Sequence, residues 1–298
     1  MIRSAETAPA PAPQPQAGAR RARRSLTPGR LLAYLVAGTL IFVALFPIVW
    51  LFLVSIMPSN LILRQDPTFV FAPTLEHYQA IFQSTRSSVL RNLTNSIVVT
   101  LVSTVASVVL AVFGAYGLAR LRPRGHAKMS LIILGTRMLP PVALVVPLYV
   151  IANRADLFDT RTALIVPYIA LNIPLATWML QSFFLDLPRE LEEAAMVDGC
   201  NRWTAFWRVV LPLAGPGIAA ASIFSFILSW NDMVIALPLT LSDAVTLPPF
   251  ASQVREEEGV AWGQLGAVTV LIMAPVIAFT LAVQRWIISG LTAGASKG

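Results

Sequence analysis

One hydrophilic stretch stands between two long apolar runs of the chain: Pro188-Arg-Glu-Leu-Glu-Glu-Ala-Ala-Met-Val-Asp-Gly-Cys-Asn-Arg-Trp-Thr-Ala-Phe-Trp-Arg-Val-Val-Leu-Pro212. Pro188 suits the first position of a helix, and good helix formers follow it. Gly199 stands where a helix commonly ends in a left-handed residue. A second amphipathic run over 203–210 is predicted to end at Pro212, which has no backbone N–H to donate. The pattern predicts a helix, a sharp turn and a second helix.

The first of these two helices carries a surface that suits a partner. Ala194 and Ala195 leave a low area that another protein can approach closely. Four acidic side chains are expected to surround this area with negative charge: Glu190, Glu192, Glu193 and Asp198. The pattern favours a docking loop, although a helical hairpin without any partner would have the same features.

The composition indicates an all-α integral membrane protein. The chain has 298 residues, of which 56% are hydrophobic and only 12% are charged, whereas soluble domains are nearer a quarter charged. A membrane-spanning helix needs about 20 apolar residues. Six segments meet this requirement and leave no room for a separate soluble domain: Leu31–Met57, Ile97–Ala119, Met129–Ala152, Ala163–Phe184, Pro216–Leu237 and Leu265–Val283.

The segment before the first span has a different composition. Residues 1–30 are rich in Pro and Ala and hold several arginines, so we predict a disordered, basic tail ahead of a six-span transmembrane domain over 31–298. These arginines suit contact with anionic lipid headgroups. A cleaved targeting signal is the alternative, but the apolar run that follows is long for a signal core.

The net charge of +7 is explained by membrane topology and gives no reason to expect nucleic-acid binding. Most arginines and lysines fall in the tail, in the 120–128 loop, in the 188–212 loop and near the C-terminus, which are the segments on one side of a six-span chain. The positive-inside rule then predicts cytoplasmic N- and C-termini and a cytoplasmic 188–212 loop.

Polar residues inside the predicted spans are candidates for lining a transport pathway: Arg137, Asn172, Trp230, Asn231 and Asp232. Polar groups at membrane depth usually face a cavity or a partner helix. Arg137 has the alternative of reaching the inner headgroups, and Asn172 has that of a hydrogen bond between helices.

The chain also resembles a known family. Glu193-Ala194-Ala195, Gly199 and Leu211-Pro212 match the "EAA" loop of ABC importer permeases. Ser229-Trp230-Asn231 and the C-terminal Gln284-Arg285-Trp286 resemble the carbohydrate-uptake branch, on the side of the second maltose-type permease. Cys200 stands where a small Ala is common in that family.

The resemblance implies a permease of the bacterial inner membrane and a set of partners. These are a second homologous permease, two copies of a cytoplasmic ATPase, an extracytoplasmic substrate-binding protein, a small sugar and membrane lipid. The outer 239–263 segment, with Glu256-Glu257-Glu258, would meet the binding protein, and a solvated run of charges is the alternative. The residues implied to couple to the ATPase are Glu190, Glu193, Ala194, Ala195, Asp198, Gly199, Trp203, Leu211 and Pro212.

The chain is expected to bind no cofactor of its own. A phosphate-binding loop needs Gly-Lys followed by Ser or Thr, and neither Lys128 nor Lys297 follows a glycine. ATP would therefore be used by the partner subunit. The single Cys and two histidines, His77 and His126, predict no metal site, and both histidines are expected in solvated loops.

Two other classes of function remain as alternatives. A secondary transporter driven by an ion gradient would need buried ionisable residues and usually shows internal repeats. An intramembrane enzyme would need a catalytic constellation within the spans, where Asp232 is the lone acid and no histidine occurs. The sequence therefore favours a non-enzymatic permease.

Overall fold

The computed structural model describes residues 28–64, 66, 70–83, 89–254 and 260–295, and this part of the chain is helical with no strand. The tail before residue 28, Glu256-Glu257-Glu258 and Lys297 lie outside the described residues. The helices are α1 (Pro28–Ile56), α2 (Ser59–Ile62), α3 (Glu76–Gln83), α4 (Val89–Tyr116), α5 (His126–Gly135), α6 (Pro141–Arg154), α7 (Arg161–Asp186), α8 (Arg189–Val197), α9 (Arg202–Ala205), α10 (Leu211–Leu213), α11 (Gly215–Trp230), α12 (Ala236–Leu239), α13 (Leu247–Gln253) and α14 (Trp262–Ala295).

Three shorter segments extend these helices. A π-helical turn over Gly117–Leu121 continues α4, and a second over Phe206–Val210 joins α9 to α10. A 3-10 turn over Thr136–Met138 follows α5. The predicted all-α membrane class is confirmed, because four single helices are long and apolar enough to cross a membrane: Leu31–Ile56, Val89–Leu121, Arg161–Asp186 and Trp262–Val283.

The third predicted span is wrong as a single helix. His126–Met138 and Pro141–Arg154 are bent by 85° at the break between them. Pro140 is extended, with φ −66° and ψ 130°. Consecutive prolines remove backbone donors, and a residue before proline avoids the helical region, so the chain breaks at this point.

The fifth predicted span, Pro216–Leu237, also differs from the structure. Its helix ends at Trp230, and the Asp232 carboxylate accepts the backbone N–H groups of Ile235 and Ala236, which starts α12. On the other side, Arg202–Leu213 meets Gly215–Trp230 at a bend of 70°. Pro216 contributes to this bend because it has no N–H for the carbonyl of Pro212. If each bent pair is one span, the described chain has six spans.

Contacts divide the chain into two units, residues 1–48 and 49–298. The described part of the first unit is the beginning of α1, which starts with Pro28 in the first turn, where proline is favoured. The centre of the second unit is formed by α4 and α7, with α11 against both.

The buried face of α4 explains the close packing of these helices. Small polar residues line it, among them Ser103, Thr104 and Ser107. Small side chains let helix backbones approach in a membrane, and their hydroxyls bond across the interface. The Ser103 hydroxyl donates to Ser229 Oγ on α11 at 3.3 Å. This face therefore fixes the arrangement of the three central helices.

His77 corrects one sequence-based expectation. It lies in α3 and is buried, with Nε2 2.7 Å from the carbonyl oxygen of Met57. A Cβ at Gly263 would overlap the imidazole ring, so the absence of a side chain at Gly263 makes room for His77. His77 is therefore a buried packing residue of the second unit and does not lie in a solvated loop. His126, at the start of α5, is partly exposed.

Candidate functional site

The 188–212 stretch forms the predicted helix, turn and helix. Pro188 is the N-cap of α8, with φ −57° and ψ 131°. It therefore stands one position before the first helical residue, whereas the sequence had placed it at that residue. Gly199 has φ +91°, which confirms the predicted left-handed residue. The Cys200 N–H donates to the Ala195 carbonyl at 3.0 Å and thereby closes the end of α8. The left-handed glycine and this hydrogen bond together terminate α8.

The second helix begins with a cap that the sequence analysis missed. The Asn201 side chain accepts the Thr204 N–H at 2.8 Å. Asn is a favoured N-cap residue, so this position carried a readable signal. The helical path then runs from Arg202 to Leu213, slightly past the predicted end at Pro212.

Most of the predicted coupling residues on α8 are available to a partner. Glu190, Glu193, Ala194, Asp198 and Gly199 are exposed, and Ala195 is half-buried. These residues share one short helix and its terminal turn, so the structure brings them together. The apolar Leu191 and Val197 are exposed beside them.

Glu192 does not belong to this exposed set. Its relative exposure is 7%, and its Oε1 accepts the hydroxyl of Tyr116 at 2.6 Å. Arg120 Nε lies 3.5 Å from Glu192 Oε2. The expectation of four acids around the alanines is therefore wrong at this position, because Glu192 turns inward to the end of α4.

The last three predicted coupling residues lie on the second helix. Trp203 is exposed, and its ring stacks on Phe113 of α4 with centroids 6.1 Å apart. Leu211 is half-buried and Pro212 is exposed. Trp203 thus lies against α4.

A small cavity of about 70 Å³ lies between α8, α9 and the π-helical turn that continues α4. Charged side chains dominate its lining: Arg120, Arg189, Glu192, Glu193, Met196 and Arg202. A water molecule occupies about 30 Å³ in the liquid. The cavity can therefore hold one or two waters between the charged groups.

The pathway candidates fall into two groups. Asn172 is buried, and its amide donates to Ser229 Oγ at 2.7 Å. Trp230 is also buried and donates to the Ile272 carbonyl at 2.9 Å. Asp232 accepts the Tyr168 hydroxyl at 2.8 Å. These three side chains join helices of this chain.

Arg137 and Asn231 have more open surroundings. Asn231 is exposed and donates to the Ile227 carbonyl of its own helix. Arg137 is half-buried, and its Nη1 donates to the Leu171 carbonyl at 2.8 Å. That carbonyl lies next to the one that Pro174 leaves without a helical donor. Arg137 also borders a cavity of about 170 Å³ beside the α5–α6 break.

At the other end of α4 and α7, one carboxylate organises a loop. Asp159, at φ +56°, accepts five hydrogen bonds from residues 241–244, with distances of 2.9–3.0 Å. We call this arrangement the Asp159 clasp. Partial burial acts to raise the pKa of Asp159, but the backbone N–H donors outweigh it and hold the pKa at about 2.

Further polar contacts join the same loop to α4 and α7. The Asn95 amide donates to the carbonyls of Asp243 and Val245, and Arg161 Nε donates to Asn95 Oδ1 at 2.8 Å. Arg91 forms an ion pair with Asp243 at 2.9 Å. The sequence does not reveal this network, since its members are spread over α4, the start of α7 and the 243–245 loop.

Comparison with known proteins agrees with this architecture. The family model described as "Binding-protein-dependent transport system inner membrane component" matches residues 107–292. The trehalose transport system permease protein SugB of Mycobacterium tuberculosis is 38% identical over 288 residues, covering 94% of this chain and 100% of that protein. The probable ABC transporter permease protein y4oR of Sinorhizobium fredii is 38% identical over 273 residues, covering 92% and 98%.

A solved structure shares the fold. A chain of a bacterial ABC transporter that imports the acidic polysaccharide alginate matches with a TM-score of 0.71 and 24% identity, covering 88% of this chain and 97% of that one. Neither an ion-gradient transporter nor an intramembrane enzyme, the two alternatives from the sequence, belongs to the matched family. The chain therefore belongs to the family of inner-membrane components of binding-protein-dependent transport systems, and it is a membrane permease, not an enzyme.

Proposed function

We propose that this chain is one permease subunit of an ATP-driven, binding-protein-dependent sugar importer. It forms half of the translocation pathway, and a second homologous permease forms the other half. The observation that carries the proposal is the exposed α8 surface, where Glu193, Ala194 and Ala195 precede a left-handed Gly199. This surface fits a cleft on a cytoplasmic ATPase subunit.

Coupling follows from the shape and charge of α8. Ala194 allows close approach, and Glu190, Glu193 and Asp198 offer carboxylates to donors on the ATPase. Two ATPase copies that close on ATP displace α8 together with the helices behind it. The pathway then switches between inward- and outward-facing forms by rocking of the spans. The ATPase can drive this switch only if its contacts with α8 differ between the inward- and outward-facing forms.

The proposed substrate class is carbohydrate. The supporting relatives carry names for trehalose, for sulfoquinovosyl glycerol and for diacetylchitobiose transport, at 33–38% identity. Within the spans, Arg137 and Asn231 are the best placed of the predicted pathway residues, because Arg137 borders the cavity beside the α5–α6 break and Asn231 is exposed. The extracytoplasmic binding protein delivers the sugar.

We place α8 and both termini on the cytoplasmic side of the bacterial inner membrane. The support is the concentration of arginines in the tail, in the 120–128 loop and in the 188–212 loop. The chain itself binds no nucleotide in this proposal, and ATP is hydrolysed by the partner.

The test is purification of the tagged chain from native membranes in mild detergent, followed by transfer into lipid nanodiscs. We expect a second permease and an ATPase to copurify, with ATP hydrolysis stimulated by a sugar-loaded binding protein. Recovery of this chain alone, without ATPase activity, would contradict the proposal.

A further inference from the structure

Tyr116 lies where four helical segments meet. Its ring packs against Phe184 of α7 at a centroid distance of 5.9 Å and against Phe206 of the second π-helical turn at 4.7 Å. Its hydroxyl donates to Glu192 of α8 at 2.6 Å. All four side chains are buried. The end of α4 is therefore joined to α7, α8 and the segment that leads into α11.

Arg120 adds a charged contact one turn further along. It lies in the π-helical turn that continues α4, and residues four apart share one side of a helix. Its Nη2 donates to the Leu187 carbonyl at 3.0 Å, just before α8 begins. Its Nε is 3.5 Å from Glu192 Oε2, and the two side chains are only 6% and 9% exposed.

Burial makes this arrangement hard to open. A buried carboxylate that loses its partners leaves an uncompensated charge, which is far more unfavourable than the loss of a surface ion pair. Tyr116 donates a hydrogen bond to Glu192, and Arg120 pairs with its charge. Both of these partners belong to the α4 segment. A movement that separates α8 from α4 would therefore break both of these contacts of the buried Glu192 carboxylate. Glu193, the next residue, is exposed and has no such constraint.

We propose that Tyr116, Arg120 and Glu192 form a joint that makes α8 and the end of α4 move as one body. We call it the Glu192 joint. Glu192 is a positioning residue within the permease and not a contact to the ATPase, so a push on α8 is delivered directly to the central span α4. This inference rests on the proposed coupling of α8 to an ATPase, and it adds the internal route by which the movement reaches the pathway.

The test compares Tyr116→Phe and Glu192→Gln in the intact complex, reconstituted into liposomes. Tyr116→Phe removes one oxygen and keeps the aromatic packing. We expect both variants to retain the ATPase subunit and its hydrolysis, while the sugar taken up per ATP hydrolysed falls about fivefold or more, as typical for loss of allosteric coupling. We expect the double variant to be no worse than the more affected single variant, because the two residues act through one contact.

Two substitutions serve as matched controls. Asp186→Asn removes an exposed acid near the same end, and Tyr149→Phe removes a hydroxyl from an exposed tyrosine. Both are expected to keep the wild-type ratio of uptake to hydrolysis. If Glu192→Gln fails to accumulate in the membrane, Tyr116→Phe alone carries the test.

Three outcomes separate the possible failures. A ratio within twofold of wild type in a complex that retains its ATPase overturns the joint and leaves the proposed function standing. Loss of the ATPase from the Glu192→Gln complex also overturns the joint, because Glu192 would then be a docking contact. A wild-type chain that retains no ATPase contradicts the proposed function itself.

Discussion

The two ends of the α4–α7 pair each depend on one carboxylate, and the two carboxylates are held in different ways. Asp159 accepts five hydrogen bonds from one loop. Glu192 has one hydrogen bond from Tyr116 and a charged neighbour at 3.5 Å, and Arg120 Nε has no hydrogen-bond partner in the described part of the chain. The Asp159 carboxylate in the clasp therefore has its hydrogen-bond positions filled, whereas the Glu192 joint contains a donor, Arg120 Nε, without an acceptor in the described part of the chain.

This difference suits two different tasks. A carboxylate with all its bonds made to one loop fixes that loop in one position. A buried carboxylate between separate helices, next to a small cavity, allows those helices to shift together while it remains paired. We therefore expect damage at the clasp to appear as lost stability, and damage around α8 to appear as lost transport per ATP.

The largest effect is expected from Gly199→Val. Gly199 has φ +91° and open space around the position of a Cβ, so the penalty comes from the backbone and not from a clash. A β-branched residue resists this conformation by roughly 1–3 kcal/mol, which would displace the end of α8. Sugar uptake should fall by about tenfold or more, measured in cells that contain wild-type amounts of the chain.

The matched control for that change is Gly135→Val. Gly135 also has open space around it, but its φ is −60°. Uptake close to that of the wild type is expected for this control. Equal uptake by Gly199→Val and Gly135→Val would show that the left-handed turn has no part in coupling.

The next effect in size is expected from Asp159→Ala at the clasp. The change removes the acceptor of four backbone N–H groups and places Ala at φ +56°. Hydrogen bonds to charged groups contribute about 1.5–3 kcal/mol, so the unfolding temperature in detergent should fall by roughly 5 °C or more. Sugar taken up per ATP should be unchanged in the surviving protein.

Asp156→Ala separates the hydrogen bonds from the backbone strain. Asp156 is exposed and has φ +54°, close to the φ of Asp159. Its substitution should lower the unfolding temperature much less than Asp159→Ala does. Similar losses for both variants would mean that the bonds to residues 241–244 contribute little.

A pH series sharpens the same comparison. The folded pKa of Asp159 is about 2, below the ordinary value of 3.8. A group with a lowered folded pKa stabilises the fold above its unfolded pKa, and this contribution is lost as the pH falls from about 4 to about 2. Hydrogen exchange at residues 241–244, corrected for intrinsic rates, should show constant protection at pH 5–8. A loss of protection between pH 7 and pH 5 would contradict this assignment.

The smallest effect is expected from Asp243→Asn. The Arg91–Asp243 ion pair measures 2.9 Å, but the two side chains are 45% and 75% exposed. Exposed ion pairs contribute about 0–1 kcal/mol. The unfolding temperature should therefore change by less than about 2 °C. A larger fall would show that the Arg91–Asp243 pair contributes to the stability that the clasp provides.

The sequence predicted the helical class, the apolar segments and the turn at Gly199, because each depends on local composition and backbone preference. It did not predict that Glu192 points inward while Glu193 points outward, since this depends on where Tyr116 and Arg120 lie in space. Two adjacent residues on a helix differ in direction by about 100°. The sequence pattern alone does not fix which of the two faces the core.

The breaks in the third and fifth spans were predictable in part. Pro140-Pro141 is a visible signal within the third predicted span, although an apolar window passes over it, and Pro212, Gly215 and Pro216 mark the bend where the fifth predicted span begins. The Asp159 clasp was not accessible in this way, because residues 159 and 241–244 are far apart in the chain and meet only after folding.

The role of α8 as the coupling surface is tested by placing a photo-crosslinking amino acid at one of two exposed positions in the intact complex. Val197, 87% exposed, lies at the end of α8, and Leu241, 71% exposed, lies beside the clasp. We predict that the probe at Val197 captures the ATPase subunit and that the probe at Leu241 captures none of it. Capture of the ATPase from Leu241, or no capture from Val197 in a complex that contains it, would contradict the assignment of α8 as the coupling surface.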